Sequence, residues 1–515
     1  MTTPTSKPPS QRRRAARPRR AASGTPAVAP VAAKERIGVT HLTAEYWPFA
    51  RTGGLGEAVS GLATVQAAAG HPTTVIMPLY QLVRETTPAI ERAGQPFTVT
   101  LGGRTEHAWL YRVPATAAGG GPRVFFVESP DFFDRAGIYG DNGADYPDNA
   151  RRFAFFCVAA LTALPEIAPD TQVLHAHDWH TALAPVYLRT AFQGQAFYDA
   201  LSTVMSVHNA GFQGHFPPET VSDLGFPADL YNAAVFEWYG RMNMLKAGLA
   251  YSDVAVTVSP THAKELRTPE GGFGLQDMFI GMGDRLAGIL NGIDPVLWNP
   301  ATDPEITANY SRDDLAGKRR CKAALQKEYG LAQEPHTPLF GMSARMVSQK
   351  GLDLVLGADL LETTHAQFIF LGAGEHRYHE ALANLAAAAP DRVAVEFIFT
   401  DHIEHRLLAG ADALLMPSQY EPCGLTQMRA QHYGAVPVAR RVGGLSDSIE
   451  DGVTGFLFDL YEPAALAQAI NRAVDVYADR TAWKKLVREA MNRQFGWHRS
   501  AEHYHTLYRR ALAQP

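Results

Sequence analysis

Short apolar runs rich in β-branched residues alternate with amphipathic stretches along most of the chain. In the first half, this pattern predicts β-strands at residues 37–43, 74–77, 123–127, 173–177, 203–207 and 254–258. A helix is predicted at residues 57–69, ending at Gly70. Strands separated by helices indicate a parallel sheet that is covered on both faces.

A second series of the same kind begins near Pro338. Its predicted strands lie at residues 339–342, 367–371, 393–398, 413–416 and 436–438. The polar stretch 299–314 contains two prolines and is the best candidate for the boundary between the two series. The pattern therefore predicts an α/β protein with two doubly wound domains.

The composition is consistent with this reading. The 515 residues are 46% hydrophobic and 19% charged, which is sufficient for two or three separate cores. Three widely spaced cysteines favour neither a disulfide framework nor a zinc site, and they fit a reducing, cytoplasmic setting. No apolar run reaches the roughly 18 residues of a transmembrane helix, so no membrane partner is expected.

Residues 1–36 differ from the rest of the chain because they are rich in Pro, Ala and Arg. They carry nine Lys or Arg residues and one acidic residue, so the remaining chain has a net charge of about −13. An acidic body argues against a nucleic-acid partner. We interpret the segment as a disordered basic tail; a transit peptide to a plastid is the alternative, and an export signal is disfavoured because no apolar region follows.

The most informative motif is Glu-Pro-Cys-Gly-Leu-Thr-Gln-Met, which begins at Glu421. It places a carboxylate before a turn that starts a helix, where free N–H groups suit a sugar hydroxyl or a diphosphate. The candidate binding residues of this turn are Cys423, Gly424, Leu425 and Thr426. The motif indicates chemistry on a sugar nucleotide.

Two Gly-Gly pairs follow predicted strands, at residues 53–54 and 443–444, and both loops are expected at one cleft. Gly53 and Gly54 would allow close backbone approach to a phosphate, and Arg51 adds a cation. The alternative is an ordinary tight turn. The pattern is not G-x-G-x-x-G and does not indicate a nicotinamide cofactor.

A second cationic loop follows the strand at 339–342. Arg345 and Lys350 lie where two cations could clamp a diphosphate, Arg as a fork and Lys as a point charge. Solvated surface cations are the alternative, but the buried strand before the loop favours the clamp.

Three histidines lie close together in His-Ala-His-Asp-Trp-His, residues 175–180. His175 and His177 end a strand and point to the same face. A metal site is disfavoured because the chain has no Asp-x-Asp pair and no H-E-x-x-H motif. A structural role is possible for these rings; we favour His177 as a hydrogen-bonding ligand of the substrate.

The loop His-Asn-Ala-Gly-Phe-Gln-Gly, residues 208–214, also follows a strand. His208, Asn209 and Gln213 are polar groups of the kind that bind carbohydrates. An ordinary loop of the same composition is the alternative.

Together these motifs resemble the glycogen/starch synthases, the bacterial and plastid-type glucosyltransferases that use ADP-glucose. The matching segments run in the family's order from about residue 37 to 510. They are residues 51–55, 175–180, 208–214, 245–248, 257–260, 289–294, 345–351, 417–427 and 441–445.

The resemblance implies a GT-B fold, two Rossmann-like domains that face each other across a deep cleft. It implies an acceptor-side domain at residues 37–300, a nucleotide-sugar domain at 301–480, and a C-terminal helix at 481–515 that returns to the first domain. The implied reaction transfers glucose from ADP-glucose to the non-reducing 4-hydroxyl of an α-1,4-glucan such as glycogen, with retention of configuration. No metal and no cofactor are implied.

The resemblance also implies residue roles. Arg345 and Lys350 would neutralise the diphosphate, Glu421 and the adjacent N–H groups would hold glucose hydroxyls, and His177 would reach the 6-hydroxyl or a nearby carbonyl. Asp148 matches an acidic residue near the acceptor. No convincing protein nucleophile faces Glu421, so a front-face route is expected.

Three positions depart from the family pattern. Arg51 replaces a Lys, Gln419 replaces an Arg, and Phe399 replaces a Tyr that stacks on the base. Arg429 stands where related transferases outside the family carry a second Glu, which starch and glycogen synthases also lack. The alternatives are therefore a transferase using UDP-glucose or another acceptor, and an inactive glucan-binding protein. Oligomeric state is left open.

Overall fold

The computed structural model describes residues 35–87, 89–114, 120–141 and 143–514. Apart from Glu35 and Arg36, the predicted basic tail lies outside the described residues. The described strands are β1 (Val39–Leu42), β2 (Thr73–Pro78), β3 (Glu91–Arg92), β4 (Phe97–Leu101), β5 (Arg104–Arg112), β6 (Arg123–Glu128), β7 (Gly140–Asp141), β8 (Ala144–Asp145), β9 (Val173–His177), β10 (Ser202–Val207), β11 (His215–Phe216), β12 (Glu237–Trp238), β13 (Arg241–Asn243), β14 (Val254–Thr257), β15 (Leu286–Gly288), β16 (Leu339–Ser343), β17 (Gln367–Leu371), β18 (Val393–Glu396), β19 (Ala413–Met416), β20 (Val436–Arg440) and β21 (Phe456–Phe458).

Helices separate most of these strands. The described α-helices are α1 (Gly54–Ala68), α2 (Gln81–Thr86), α3 (Pro130–Phe133), α4 (Asn149–Ile167), α5 (Leu183–Arg189), α6 (Ala196–Asp199), α7 (Thr220–Asp223), α8 (Met244–Tyr251), α9 (Pro260–Glu265), α10 (Gln276–Gly281), α11 (Ala316–Glu328), α12 (Leu352–Gly357), α13 (Leu360–Thr363), α14 (His376–Ala388), α15 (Asp401–Gly410), α16 (Thr426–His432), α17 (Gly443–Ser448), α18 (Pro463–Ala478), α19 (Arg480–Met491) and α20 (Trp497–Leu512).

The first sheet has ten strands in the order β15-β14-β10-β9-β1-β2-β6-β5-β3, and β4 pairs with β5. Neighbours from β15 to β6 are parallel, whereas β3, β4 and β5 add an antiparallel extension. All six predicted strands of the first half are confirmed as members of this sheet. The sequence analysis missed this extension: β5 shows the exposed and buried alternation of a half-buried strand, but β3 has only two residues and both are exposed.

The second sheet has six parallel strands in the order β18-β17-β16-β19-β20-β21. Five of them confirm the predicted strands of the second half. The sequence analysis missed β21, which is only three residues long, and overextended β18, which ends at Glu396. The two helix-covered sheets confirm the predicted fold class, while the exact domain boundaries remain predictions.

The C-terminal helix α20 packs against the first sheet. Trp497, Tyr504 and Tyr508 belong to one buried cluster with Val39 of β1. A Cβ at Gly61 in α1 would lie 2.0 Å from Trp497 Nε1, so glycine is what lets the two helices meet. The last part of the chain therefore stabilises the first domain.

Cys157, Cys321 and Cys423 are buried and unpaired. In the described part of the chain, no helix combines the length and apolar character needed to cross a membrane.

Candidate active site

Polar residues that the sequence analysis selected follow the carboxyl ends of parallel strands in both sheets. His177 ends β9 and His208 follows β10, whereas Lys350 and Glu421 follow β16 and β19. Ligands of open α/β sheets bind at this edge.

Hydrogen bonds join the two edges directly. The Thr261 N–H and hydroxyl donate to the Asp447 carboxylate at 2.9 and 2.7 Å, and the Gly443 N–H donates to Glu265 Oε1 at 2.8 Å. Both edges therefore line one cleft, as the motifs predicted.

Glu421 and Lys350 form an ion pair in the cleft. Lys350 Nζ donates to Glu421 Oε2 at 2.5 Å, and the Ser418 hydroxyl donates to the same oxygen at 3.1 Å. The side chains of Glu421 and Lys350 are 8% and 18% exposed. An unpaired buried charge is strongly unfavourable, so each ion keeps the other in place.

The turn after Glu421 leaves backbone donors available. Gly424 adopts φ of +68° before α16 begins at Thr426, and the N–H groups of Cys423, Gly424 and Leu425 donate to no other described residue. Burial raises the pKa of the Cys423 thiol to about 12. Cys423 therefore offers its backbone to a ligand and keeps its sulfur in the core.

The second Gly-Gly pair supports this turn. A Cβ at Gly443 would lie 2.0 Å from the Glu421 carbonyl oxygen, and one at Gly444 would lie 2.1 Å from the Cys423 carbonyl oxygen. Gly443 also adopts φ of +41°, which favours glycine. These two glycines make room for the protein backbone of the Glu421 turn.

Arg345 and Phe399 are exposed where they follow β16 and β18. No carboxylate among the described residues pairs with Arg345, and Phe399 is 43% exposed. Both side chains can meet a ligand, and their assigned roles remain predictions.

Arg51 lies against two carboxylates. Its guanidinium donates to Glu57 of α1 and to Asp401 of α15, which belongs to the other domain. These carboxylates neutralise the cation in this structure, and the contact of Arg51 with a ligand phosphate remains a prediction. Arg51 joins the two sides of the cleft.

The loop at Gly53 and Gly54 holds a carboxylate that the sequence analysis missed. Glu45, 3% exposed, accepts hydrogen bonds from the Thr52 N–H at 2.7 Å, the Gly53 N–H at 3.4 Å and the Tyr139 hydroxyl at 2.6 Å. The Gly53 N–H belongs to the backbone that was expected to approach a phosphate, and that expectation remains a prediction. The only sequence signal was an acidic residue between β1 and the glycines.

Arg429 is the centre of a second link across the cleft. It forms ion pairs with Glu404 at 3.0 Å and with Glu57, and its guanidinium lies 4.2 Å from the centre of the Trp298 ring. Burial raises the pKa of Glu404, which Arg429 opposes. If position 429 carried the Glu of the related transferases, that side chain would face the carboxylates of Glu57 and Glu404.

We expect Arg429→Met to lower the free energy of unfolding by about 3–5 kcal/mol, because it leaves the buried Glu404 unpaired. Urea titration followed by tryptophan fluorescence measures this loss, since Trp298 lies beside the changed group. Adding Glu404→Gln removes the unpaired charge and should restore most of the stability. A single variant within 1 kcal/mol of the parent would contradict this account.

His177 is buried in a chain of hydrogen-bonded rings. Its Nε2 lies 3.0 Å from His41 Nδ1 and its Nδ1 lies 3.0 Å from His208 Nε2, with 1% of the residue exposed. Both nitrogens have ring partners in this structure, so a contact of His177 with substrate would exchange one of these hydrogen bonds, and its assigned role remains a prediction. His208, which is half-buried, is the ring that the chain presents to the cleft.

Gln66 fixes the direction of these hydrogen bonds. Its Oε1 accepts from His41 Nε2 at 2.8 Å, so His41 Nδ1 accepts from His177 and His177 Nδ1 accepts from His208. The remaining nitrogen of His208, Nδ1, is then an acceptor. The Gln66 amide donates to the Tyr508 hydroxyl at 2.9 Å, which anchors the chain of rings to α20.

His41, His175 and His177 bring one nitrogen each within 4.8 Å of one another. All six ring nitrogens, however, have hydrogen-bond partners: His175 Nδ1 meets Tyr508 at 2.9 Å and its Nε2 meets Ser206 at 2.7 Å. The lone pairs therefore do not converge on one point. This geometry is that of a hydrogen-bonded network.

Two residues of the 208–214 loop have different surroundings. Asn209 lies beside the Tyr420 hydroxyl from the other domain, next to Glu421. Gln213 is 3% exposed, and its amide donates to the carbonyls of Ala210 at 2.8 Å and Phe273 at 3.0 Å. Asn209 can meet a ligand, whereas Gln213 holds the 208–214 loop against Phe273, and the substrate-binding role assigned to Gln213 remains a prediction.

Asp148 precedes α4 and forms a bidentate pair with Arg135, both distances being 2.7 Å. Hydrogen bonding to Arg135 lowers the pKa of Asp148 against the opposing effect of burial. Asp148 is therefore an anion at neutral pH, and its place near the acceptor remains a prediction.

Comparisons with known proteins bear on this site. The model described as "Starch synthase catalytic domain" matches residues 38–280, and "Glycosyl transferases group 1" matches residues 328–490. A glycogen synthase of Syntrophotalea carbinolica is 42% identical over 480 residues, covering 91% of this chain and 97% of the relative. Glycogen synthase 2 of Geobacter sulfurreducens is 40% identical, covering 92% and 98%.

The solved structures include one similar along nearly the whole chain. The catalytic domain of starch synthase IV from Arabidopsis thaliana, bound to ADP and acarbose, superposes with a TM-score of 0.84 at 31% identity, covering 93% of this chain and all of that one. Sucrose-phosphate synthase from Thermosynechococcus elongatus, at 17% identity and a TM-score of 0.60, shares the fold.

Proposed function

The chain belongs to the starch and glycogen synthase family of retaining glycosyltransferases, and on that premise we propose that it transfers glucose from ADP-glucose to the 4-hydroxyl at the non-reducing end of an α-1,4-glucan. The observation that carries the proposal is the Lys350–Glu421 pair at the cleft, with backbone donors beside it and the unpaired Arg345 on the same loop as Lys350.

The ion pair supports a simple exchange on donor binding. Lys350 and Arg345 turn to the diphosphate, while Glu421 accepts hydrogen bonds from glucose hydroxyls that replace the Lys350 ammonium. Each buried charge then has a partner in both states. The cations stabilise negative charge as it develops on the leaving ADP.

Retention follows from a front-face route. The bond between the glucose anomeric carbon and the ADP oxygen breaks, the acceptor oxygen bonds to that carbon from the same side, and its proton moves to the departing phosphate. The half-buried His208, with Nδ1 as an acceptor, suits a sugar hydroxyl in this cleft. Phe399 supplies an exposed ring for the adenine base.

The relatives support both substrates. A starch synthase of this fold binds ADP and acarbose, and the bacterial relatives are glycogen synthases. We propose glycogen as the acceptor of this chain and the cytoplasm as its location, where buried free thiols stay reduced.

The test is incorporation of labelled glucose into glycogen by the purified protein, with ADP-glucose and UDP-glucose compared in the presence of EDTA. We expect incorporation from ADP-glucose that EDTA does not reduce. A preference for UDP-glucose would mean that UDP-glucose is the donor, and the proposed transfer reaction would stand. Absence of transfer from both donors would favour a protein that only binds glucan.

A further inference from the structure

Aromatic side chains lead from the catalytic cleft to an exposed tip of the first domain. The Tyr420 ring, adjacent to Glu421, packs edge-on against Phe273 with ring centres 4.9 Å apart. The next residue, Gly274, touches Trp238, whose ring packs edge-on against Tyr239 with centres 4.8 Å apart. Phe273 and Trp238 are half-buried and Tyr239 is 78% exposed.

Tyr239 lies at the tip of the hairpin formed by β12 and β13. Trp238 pairs with Arg241, so Tyr239 and Gly240 form a two-residue turn with φ of +46° and +77°. Asn-Gly is the pair that such a turn prefers, and a bulky aromatic residue with positive φ is unfavourable. An exposed ring held in an unfavourable backbone conformation points to a role in binding and not in folding.

Phe273 is a second aromatic residue with a positive φ. It adopts φ of +51°, followed by Gly274 at +81°. Hydrogen bonds pin this pair from both sides: Gln213 donates to the Phe273 carbonyl at 3.0 Å, and Trp238 Nε1 donates to the Gly274 carbonyl at 3.1 Å. The buried Gln213 thus links the 208–214 loop of the cleft to the aromatic residues outside it.

Trp238 is rigidly held. The His215 ring stacks on it with centres 4.2 Å apart and planes inclined by 15°. His215 belongs to β11, which pairs with β13, so the three-stranded sheet of β11, β12 and β13 fixes the orientation of the indole. Rings that are fixed before binding lose little entropy when a ligand stacks on them.

We propose that the acceptor glucan extends out of the cleft along Phe273, Trp238 and Tyr239, so that Tyr239 binds a sugar several units away from the reacting end. This inference rests on the proposed function, because it takes the ligand to be an α-1,4-glucan. The apolar faces of glucose rings stack on exposed aromatic rings, and the path is continuous with the cleft at Tyr420. Long acceptors reach Tyr239, whereas maltotriose does not.

The test uses Tyr239→Asn, which improves the turn while removing the ring. We expect its glycogen affinity, measured by electrophoresis in native gels with and without glycogen, to fall about tenfold, in the range of a binding hot spot. The melting temperature should equal or exceed that of the parent, which separates lost binding from lost folding. In the glucose-transfer assay, kcat/KM for maltotriose and KM for ADP-glucose should stay within twofold of the parent values.

Two control variants complete the test. Tyr239→Phe keeps the ring and should keep the affinity. Val453→Ala changes an exposed apolar residue, 39% exposed, before the amino end of β21, and should have no effect. Parental glycogen affinity in Tyr239→Asn would overturn the proposal. If the wild type binds glycogen through Tyr239 but transfers no glucose, the proposed function fails and the glucan path stands.

Discussion

Replacing Lys350 by methionine is expected to lower kcat for glucose transfer by about 10²–10³-fold, the size of effect seen when one preorganised charge-stabilising donor is removed. The ammonium is within 2.5 Å of Glu421 in the free protein, so it lies where the donor sugar and its diphosphate must meet. Methionine keeps the length of the side chain and removes the charge. The measurement is the steady-state rate with saturating ADP-glucose and glycogen.

Lys322→Met is the matched control. Lys322 also forms a largely buried ion pair, with Asp412 at 2.6 Å, but it lies in the core of the second domain beside Tyr477. Its loss should lower stability while leaving kcat of the folded protein within about threefold of the parent. If Lys350→Met were no slower than this control, Lys350 would have a structural role only.

The sequence predicted the site residues that lie at the carboxyl ends of parallel strands. Glu421, Lys350, His177 and His208 lie at the carboxyl ends of four different strands, and the rule that ligands bind at this edge was enough to place them at one cleft. Parallel strands are continuous apolar runs, which a single sequence reveals well.

Side-chain partners could not be predicted in the same way. Arg51 meets Asp401 350 positions away, and Arg429 meets Glu57 372 positions away, so no local pattern announces either pair. His177 was assigned to substrate because the sequence gives its face of the strand but not the rings beside it. Two of its neighbours, His41 and His208, come from separate strands.

The protein is expected to lose stability steeply below pH 6.5, because four buried histidines are neutral in the folded state. His41, His175, His177 and His180 are at most 6% exposed. Burial lowers the pKa of His41 to about 4 and of His180 to about 3, and those of His175 and His177 well below their usual value. Between these values and 6.5 the unfolded chain binds protons that the folded chain does not, so stability falls as the pH falls.

Two buried carboxyls, Asp178 and Glu404, act in the opposite direction because burial raises the pKa of each. Burial raises the pKa of Asp178 to about 7, so acid favours its folded form. Burial also lowers the pKa of His208 to about 3, so five histidines less two carboxyls give a net difference of about three protons, or roughly 4 kcal/mol per pH unit at about 1.4 kcal/mol per proton. Against a typical stability of about 5–15 kcal/mol, this slope predicts unfolding of the first domain about one to four units below pH 6.5.

Urea titrations at pH 7, 6 and 5.5 measure the slope. His180→Leu should reduce it by about one proton, because His180 Nδ1 has no partner among the described residues and its ring packs against Tyr139, Phe153 and Trp179. His376→Asn, whose parent side chain is 90% exposed, should leave it unchanged. If the free energy of unfolding changed with pH by less than the equivalent of one proton, the histidine network would be accepting protons without unfolding. The single direction of hydrogen bonds set by Gln66 would then not hold in acid.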